Sequence, residues 1–362
     1  MKVLSLGLDS SIVDKQSDLA RRVLDYGALT EKYIVIIPAA KNEQIDLSDK
    51  VEIFTVGGCG KFLKLFRIYN LAKKILRQEK FDVISVQDIY YLALAAVILA
   101  QKNKIGLEFQ VHGWEKFYGL RRVLAGFVLR RANAIRAVSQ RLKKQLVEKF
   151  NLAEEKITVV PIFTDINIGR LKDNGKKDKS RQVFLAVGRL VPIKNITLQI
   201  EAMAEITKKY SNAELWVVGD GPEFNNLKIK IKKLKLEESV KLLGQKTKEE
   251  LNEIYSQADV FILTSDLEGW GLAVIEAASY GLPIIMTDVG CAGEVIKNNE
   301  SGIVVPIGGK LSLIQAMETL LRDEALRQRI GEGARQAVEA LPSKQETVNL
   351  YLASWRKAMD RK

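Results

Sequence analysis

Short runs of apolar and β-branched residues alternate with longer amphipathic stretches along the whole chain. In the first half we predict strands in KVLSLGL, YIVIIPA, FDVISVQ and LEFQVHG, followed by AIRAVS and ITVVP. The stretches between them, such as DLARRVLDYGAL and FLKLFRIYNLAKKILRQ, have helical spacing. Strands that alternate with helices indicate βαβ units and a parallel sheet.

The second half repeats this scheme with QVFLAVG, AELWVVG, SVKLLG, DVFILTS, LPIIMTD and GIVVP. The stretch INIGRLKDNGKKDKS at 166–180 is polar and charged, as expected of a solvated linker. We therefore predict two doubly wound α/β domains, over residues 1–165 and 181–341. A capping-box pattern, Ser343 with Glu346, predicts a last helix over 343–362, which we expect to pack back on the first domain.

Length and composition agree with two domains of a soluble globular protein. The chain has 362 residues, 47% of them apolar and 28% charged, whereas a single core rarely grows past about 250–300 residues. The run YYLALAAVILA at 90–100 is much shorter than the roughly 20 residues that a membrane span needs. We therefore predict a buried helix there and no transmembrane segment, and we expect the start, MKVLSLGLDSS, not to be a signal peptide.

Metal and redox chemistry find little support in the sequence. His112 is the only histidine, and the two cysteines, Cys59 and Cys291, are far apart and lack ligand residues at metal-site spacing. A zinc site is effectively excluded, and no aspartate-rich metal motif is present. We expect neither a metal nor a cofactor.

The net charge of +12 is concentrated in the first half of the chain. Residues 1–165 contain 27 Lys and Arg against 18 Asp and Glu, and residues 116–144 contain nine basic side chains and no acidic one. Four apolar residues, Leu120, Val123, Leu124 and Phe127, follow helical spacing there, and the basic side chains lie elsewhere around the helix. The basic residues that we consider for binding are Arg121, Arg122 and Arg130.

Two uses of this basic stretch stay open beside the simplest one, a solvated face of an ordinary core helix. It can dock on an anionic membrane surface, where each basic residue near the lipid adds about 1 kcal/mol. It can also face an anionic substrate. Nucleic-acid binding is disfavoured, because exposed aromatic residues are not interleaved with the charges and no helix-turn-helix or zinc pattern occurs.

Several strands of the second half end in a glycine-bearing turn, where open α/β sheets bind ligands. In VGRLVPIKN, Gly188 allows a close turn, and Arg189 and Lys194 precede a helical pattern. Cations beside a helix N-terminus favour a diphosphate, although two solvated surface residues are the simpler interpretation of this turn alone. The turn VVGDGPE, with Gly219 and Gly221, is a weaker signal.

The turn LEGWGLAVIE at 267–276 places one carboxylate in a loop, Glu268, and one inside the following helix, Glu276. Backbone amides between them suit a phosphate, and carboxylates on both sides suit sugar hydroxyls. Taken alone, the spacing also fits a loop glutamate and a surface helix glutamate. The residues that supply the amides are Gly269, Trp270, Gly271 and Leu272.

Together these turns resemble the family 4 retaining glycosyltransferases, which have the GT-B fold. The matching text covers most of residues 183–306, and VHGWE at 111–115 and RRANAIRAVSQRL at 130–142 match more loosely. The resemblance implies two doubly wound, Rossmann-like parallel-sheet domains that face a cleft. It also implies an enzyme that moves a hexosyl unit from a nucleotide sugar to an acceptor hydroxyl.

The resemblance further implies roles for single residues. Arg189 and Lys194, with Gly188, would bind the donor diphosphate, and Glu276 would accept hydrogen bonds from the ribose. Glu268 and the amides of residues 269–272 would hold the transferred sugar and the distal phosphate.

More weakly, the resemblance places Gly219 and Gly244 at the nucleotide pocket, Gly244 beside the base. It implies that His112 reaches the sugar from the first domain. His112 and Glu268 are therefore the candidate catalytic residues.

The expected partners are a UDP-, GDP- or ADP-sugar donor and a glycan or lipid-linked acceptor in cell-surface polysaccharide or glycolipid synthesis. We expect a cytoplasmic protein, peripheral on the inner face of the cell membrane if the basic stretch docks there, with no nucleic-acid partner. The alternatives are a GT-B epimerase or phosphorylase acting on sugar phosphates and, more remotely, a basic nucleic-acid-binding protein.

Overall fold

A computed structural model describes residues 1–113, 119–164 and 180–360. The chain forms two compact units, one of Met1–Pro161 with Pro342–Lys362 and one of Ile162–Leu341. The predicted boundary was at 165, and the predicted linker over 166–180 lies, except for its last residue, outside the described residues.

The first unit contains an eight-stranded sheet in the order β3-β4-β2-β1-β5-β6-β7-β8. Its strands are β1 (Lys2–Leu6), β2 (Lys32–Pro38), β3 (Glu43–Ser48), β4 (Val51–Val56), β5 (Val83–Val86), β6 (Gly106–Val111), β7 (Ala134–Ala137) and β8 (Ile157–Val159). All neighbours pair in parallel except β3 with β4. The six predicted strands are confirmed, and β3 and β4 are additions that form an antiparallel edge.

The helices of this part are α1 (Asp18–Ala28), α2 (Lys61–Gln78), α3 (Tyr91–Asn103), α4 (Gly119–Arg130) and α5 (Gln140–Phe150). The apolar run at 90–100 forms most of α3 and is largely buried, as predicted. Helix α5 begins after Ser139, whose hydroxyl accepts a hydrogen bond from the backbone N–H of Leu142.

The second unit contains a six-stranded parallel sheet in the order β11-β10-β9-β12-β13-β14. Its strands are β9 (Gln182–Val187), β10 (Ala213–Val218), β11 (Val240–Gly244), β12 (Val260–Leu263), β13 (Ile284–Thr287) and β14 (Gly302–Val305). All six were predicted. The order reverses between β9 and β12, so the carboxyl ends of these two strands form the topological switch point of the sheet.

The helices that cover this sheet are α6 (Ile196–Ile206), α7 (Phe224–Lys233), α8 (Lys248–Gln257), α9 (Leu272–Ser279), α10 (Lys310–Arg322) and α11 (Glu324–Glu339). Helices α6 and α10 pack together over one face. Their apolar residues join those of β9 and β10 in one buried cluster. This rigid layer leaves the loops at the strand ends available for function.

Helix α12 (Lys344–Met359) completes the chain and packs on β6 and β7 of the first unit. It begins with the predicted capping box of Ser343 and Glu346. The inner face of α12 contacts Glu108 of β6, whose carboxylate is fully buried. Glu108 accepts hydrogen bonds from Ser354 and, at 3.1 Å, from the indole Nε1 of Trp355.

Glu108 is also neutralised within the sheet. Arg136 of β7 approaches both carboxylate oxygens, with Nε at 2.7 Å from Oε1 and Nη2 at 3.2 Å from Oε2. The hydroxyl of Ser85 donates to Oε2 at 2.6 Å. A buried charge is tolerated only when it is paired in this way, so the network ties α12 to the sheet at a defined position.

Candidate active site

The two central loops of the second unit lie side by side at the switch point. The loop of residues 188–194 follows β9 and the loop of residues 264–271 follows β12, and these strands are neighbours in the sheet. Each loop leads into a helix, α6 or α9. Two predicted motifs that are more than 70 residues apart in sequence therefore meet at the position where α/β sheets bind their ligands.

Lys194 and Glu268 form an ion pair between these loops. The hydroxyl of Ser265 donates a hydrogen bond to the same carboxylate oxygen, Oε1, at 2.8 Å. Both of these contacts end on the Oε1 oxygen of Glu268. The pair joins one predicted phosphate cation to one predicted sugar-binding carboxylate.

Backbone and side-chain bonds brace the two loops against each other. The amide of Asp266 donates to the carbonyl of Ile193 at 2.8 Å, and Asn195 Nδ2 donates to Asp266 Oδ1 at 3.2 Å. The hydroxyl of Thr264 lies 2.9 Å from the carbonyl oxygen of Asn195 and accepts from Gln199 Nε2 at 2.9 Å. These contacts hold the spacing between Lys194 and Glu268 independently of the ion pair.

The start of α9 presents backbone amides at this edge. Gly271 precedes the helix with φ of 94°, and no side chain caps the helix. The first N–H groups of a helix lack partners within it and favour an anion. Residues 269–272, which were predicted to supply amides, thus lie directly after Glu268 at a helix N-terminus.

The turn before α9 rests on the loop that follows β13. The carbonyl of Trp270 accepts from the amide of Cys291 at 2.9 Å, and the Trp270 ring is buried. A Cβ at Gly290 would lie 2.6 Å from the Trp270 carbonyl oxygen, so only glycine permits this approach. Thr287 donates to the carbonyl of Ser265 at 2.6 Å. The end of β13 and the loop that follows it therefore support the turn before α9.

Glu276 lies inside α9, as predicted, and its carboxylate is oriented by a tyrosine. Tyr255 of α8 donates from its hydroxyl to Glu276 Oε2 at 3.0 Å. Burial, and then the negative charge of Glu276, raise the pKa of Tyr255 well above its ordinary value, so the hydroxyl keeps its proton. Tyr280 stacks on Tyr255 with ring centroids 5.1 Å apart and restricts its position.

Three glycines join the ends of β9, β10 and β11 backbone to backbone. A Cβ at Gly219 would lie only 1.9 Å from the carbonyl oxygen of Gly188, and the amide of Gly219 donates to the carbonyl of Gly244 at 2.8 Å. Gly244 has φ of 68° and open space on its side-chain face. The predicted nucleotide-pocket glycines thus lie in one row with Gly188, which gives Gly219 a packing role whether or not it touches a ligand.

The remaining predicted cation of this site, Arg189, is exposed at the start of the first central loop. Its neighbour Leu190 is held by a backbone bond from its amide to the carbonyl of Asp220 at 2.9 Å. Arg189 therefore extends from a fixed backbone, on the same loop as Lys194.

His112 belongs to the first unit and follows β6 directly. Its side chain is exposed to solvent, yet desolvation by the surrounding protein and the charges of Arg136 and Arg22 lower the pKa of the imidazole to about 4. The like charges act in the same direction even where solvent reaches the ring. The imidazole is therefore uncharged at neutral pH, and its approach to the donor sugar stays a prediction.

The predicted basic residues of α4 differ in their surroundings. Arg121 and Arg122 are exposed, and the guanidinium of Arg121 lies 5.6 Å from the centre of the Tyr90 ring. Arg130 donates from Nε to the carbonyl of Phe150 at 3.3 Å and so links α4 to α5. Arg121 and Arg122 are thus the better placed for a partner.

Within residues 1–113, 119–164 and 180–360, no group of three or more His, Cys, Asp or Glu side chains is arranged to hold a metal ion. In the same ranges, no helix has both the length and the hydropathy to cross a membrane.

Family models agree with the two-unit architecture. Residues 167–337 match the model of glycosyl transferases group 1, and residues 32–167 match the model of glycosyltransferase family 4. The two matches together span most of the chain. It belongs to the family 4, group 1 glycosyltransferases. The protein is therefore a transferase enzyme.

Two relatives with assigned names are similar to this protein over most of the chain. An N-acetyl-alpha-D-glucosaminyl L-malate synthase from Bacillus anthracis is 25% identical over 76% of this chain and 76% of its own length. The GPI3 subunit of a Saccharomyces cerevisiae phosphatidylinositol N-acetylglucosaminyltransferase is 25% identical over 85% of this chain and 72% of its own length.

Solved structures of glycosyltransferases show the same fold, GT-B. HepE from Anabaena, solved in complex with UDP, covers 98% of both chains with a TM-score of 0.76 at 20% identity. A sucrose-phosphate synthase from Thermosynechococcus elongatus covers 98% of both chains with a TM-score of 0.81 at 19% identity. The fold expected from the resemblance is thus confirmed.

Several residues of this candidate site were missed in the sequence. Ser265, Asp266 and Asn195 lie within or next to the quoted turns, but nothing in a one-dimensional pattern shows that they bond across two loops. Tyr255 gives a faint signal in the sequence, because it is the one aromatic residue in the polar helix KEELNEIYSQ. Its bond to Glu276 required the packing of α8 against α9.

Proposed function

We propose that this glycosyltransferase moves a hexosyl unit from a nucleotide diphosphate sugar to a hydroxyl of a glycan or lipid-linked acceptor, with retention of configuration and without a metal ion. The observation that carries the proposal is the Lys194–Glu268 pair at the switch point, directly before the uncapped start of α9. This arrangement brings a cation, helix amides and a carboxylate to one place, which is what a sugar diphosphate needs.

The chemical task is to stabilise the charge on the departing diphosphate. Lys194, Arg189 and the amides at the start of α9 supply fixed positive charge and hydrogen-bond donors for it. Lys194 is paired with Glu268. A bound phosphate competes for Lys194 and leaves Glu268 free to accept hydroxyl groups of the sugar.

Glu276 accepts the ribose hydroxyls in this proposal. Tyr255 donates to Oε2 of Glu276, so the carboxylate is oriented before the donor arrives. An oriented acceptor loses less conformational entropy on binding than a mobile one. The row of Gly188, Gly219 and Gly244 provides a wall without side chains for the rest of the nucleotide.

We infer that the donor is a uridine diphosphate sugar and that its sugar is N-acetylglucosamine. Support comes from the names of the two relatives, which both contain this sugar, and from the structure of HepE with UDP. An acceptor hydroxyl attacks from the face that the diphosphate leaves, and the departing phosphate takes its proton. The neutral imidazole of His112 is a candidate hydrogen-bond partner for the sugar during this step.

The proposal is tested by product analysis. The protein is incubated with UDP-N-acetylglucosamine, UDP-glucose or GDP-mannose and a panel of hydroxyl acceptors that includes L-malate and phosphatidylinositol, the groups named in two relatives. We expect an α-linked product, identified by the anomeric proton coupling in NMR, at a rate unaffected by EDTA. A β-linked product from an α-linked donor would overturn retention, and loss of activity in EDTA would overturn metal independence.

The same reactions separate transfer from the other activities considered for this fold. Conversion of the nucleotide sugar to an epimer without acceptor identifies an epimerase. Sugar phosphate formation that requires inorganic phosphate identifies a phosphorylase. Either result in place of transfer contradicts the proposed reaction.

A further inference from the structure

Three helices of the first unit carry no acidic residue. Helix α2 contains six Lys or Arg, α3 one and α4 three, and none of the three helices contains Asp or Glu. In a chain with 44 acidic residues, this makes one part of the first unit strongly positive.

Large apolar side chains stand exposed on two of these helices. Phe62 is 78% and Phe66 is 62% exposed on α2, and Leu120 is 82% and Val123 is 68% exposed on α4. The buried residues of α4 are instead Ala125, Gly126, Val128 and Leu129. Leu120, Val123 and Phe127 of the apolar stripe seen in the sequence of α4 therefore face solvent, and Leu124 is partly buried.

Helix α3 connects the two exposed sets. The rings of Phe62 and Tyr91 meet edge to face with centroids 6.3 Å apart. Arg121 lies over the ring of Tyr90, at 5.6 Å from its centre. We define the aromatic–basic face as Phe62, Phe66, Tyr91, Leu120 and Val123 with the exposed cations Lys61, Arg121 and Arg122.

The aromatic–basic face lies at the carboxyl edge of the first sheet. Helices α2 and α3 begin after the carboxyl ends of β4 and β5, and α4 follows β6 and His112. The amino-terminal parts of these helices carry the exposed residues. A partner on this face therefore lies at the sheet edge that also carries His112.

We propose that the aromatic–basic face docks the enzyme on an anionic lipid bilayer, peripheral to the membrane and without crossing it. Cations attract the anionic headgroups, and exposed Phe, Leu and Val side chains enter the boundary between headgroups and acyl chains. Two features of the aromatic–basic face fit an anionic bilayer. Helices α2, α3 and α4 contain no acidic residue, and single aromatic rings project from the face. The inference goes beyond the proposed reaction and does not depend on the identity of the donor.

Vesicle flotation tests this proposal with the full chain. Wild-type protein is mixed with neutral vesicles of phosphatidylcholine alone, or with anionic vesicles that also contain about 30% phosphatidylglycerol. The test variants are Phe62→Ser with Phe66→Ser, and Arg121→Ser with Arg122→Ser. The matched control is Ile229→Ser with Leu311→Ser, which removes equally exposed apolar side chains from α7 and α10 of the other unit.

We expect binding to the anionic vesicles that is at least tenfold weaker on neutral vesicles and weakened by salt. The double Phe variant lowers the anionic partition coefficient at least tenfold, the double Arg variant lowers it about thirtyfold, and the control variant leaves it unchanged. The thermal unfolding midpoint of each variant, measured without ligand, is expected to stay at the wild-type value, which shows that the variants fold without reference to the donor site.

Three results would overturn the proposal. Wild-type protein that stays unbound on anionic vesicles excludes a bilayer as the partner. An equal loss of binding in the Ile229 and Leu311 control assigns the binding to another surface. Binding of a short DNA duplex that exceeds vesicle binding, and is lost in the double Arg variant, assigns the face to nucleic acid.

Discussion

Lys194 and Glu268 form an ion pair with each other, and this pairing competes with their proposed roles in binding the donor phosphate and the sugar. Each side chain neutralises the charge of the other, and Ser265 donates a further hydrogen bond to Glu268. Both side chains are largely removed from solvent, so this pair is less screened than a surface ion pair. The pair keeps the site ordered, and the proposed donor phosphate replaces one of its members.

Replacing Lys194 by Ala is expected to lower kcat by about 100-fold, because one electrostatic contact to the leaving group is lost. The matched control is Lys230→Ala, which breaks a pair with Glu201 between α7 and α6. That variant is expected to retain wild-type kcat, since partly exposed pairs contribute about 1 kcal/mol or less. Initial rates with the donor that first gives product measure both, and an equal loss in the two variants would contradict the role of Lys194.

His112 offers a pH test, since it is the only histidine of the chain. Its lowered pKa, about 4, predicts that the imidazole signal in a proton NMR spectrum stays at its neutral position from pH 7 to pH 5. In urea the same signal should titrate near the ordinary value of about 6.5. A folded-state midpoint near 6.5 would show that neither desolvation nor Arg136 and Arg22 act on the ring.

The lowered pKa of His112 also determines in which direction this residue makes the stability of the folded protein depend on pH. Below about pH 6.5 the unfolded chain binds a proton at His112 that the folded protein does not bind. The contribution of this residue therefore favours the folded state above that pH and is lost as the pH falls toward 4.

At the scale of elements, glycines allow the backbones of the strand-end loops in the second unit to approach each other closely. Gly219 shows this best, because its missing side chain leaves space for the carbonyl of Gly188. Gly219→Ala is expected to reduce the free energy of unfolding by about 3 kcal/mol through this clash and a strained φ of 133°.

Gly281→Ala is the control for that substitution. Gly281 has φ of 69° but open space around its side-chain position, so only the backbone strain of about 1–2 kcal/mol is expected. Urea unfolding midpoints compare the two variants. A Gly219 variant as stable as the Gly281 variant would mean that the loops move apart easily and that the site is not held by this contact.

Secondary structure was largely predictable because most strands are short apolar runs bounded by glycine or polar turns. All six strands of the second unit and the capped start of α12 follow from such local signals. Strands β3 and β4 were missed. The first of them, EQIDLS, is polar and alternates partly exposed with exposed residues at the sheet edge, so it lacks the apolar run that marks buried strands.

The candidate site was predictable only as far as its own chain segments. Lys194, Glu268 and Glu276 stand out in glycine-rich turns and in the resemblance to known enzymes. Tyr255 and Asp266 do not, because their roles arise from contacts between elements. The sequence of β6 likewise indicates a strand but not that Glu108 within it receives hydrogen bonds from a helix nearly 250 residues later.

At the scale of the whole molecule, the two units divide charge and chemistry. The first carries the acid-free helices, His112 and the returning helix α12, and the second carries the switch point with its ion pair. Membership of the glycosyltransferase family is consistent with this division. The central claim is that the switch point of the second unit binds the nucleotide sugar.

Thermal unfolding of the wild type and of Glu276→Ala with UDP-, GDP- and ADP-sugars tests that claim most directly. A ligand at 100 times its Kd stabilises the folded state by about 2.7 kcal/mol, which raises Tm by several degrees. We predict such a shift with one nucleotide class in the wild type and in the control Glu201→Ala, and its loss in Glu276→Ala. No shift with any donor at millimolar concentration, or an equal shift in Glu276→Ala, would contradict the placement of the donor at this site.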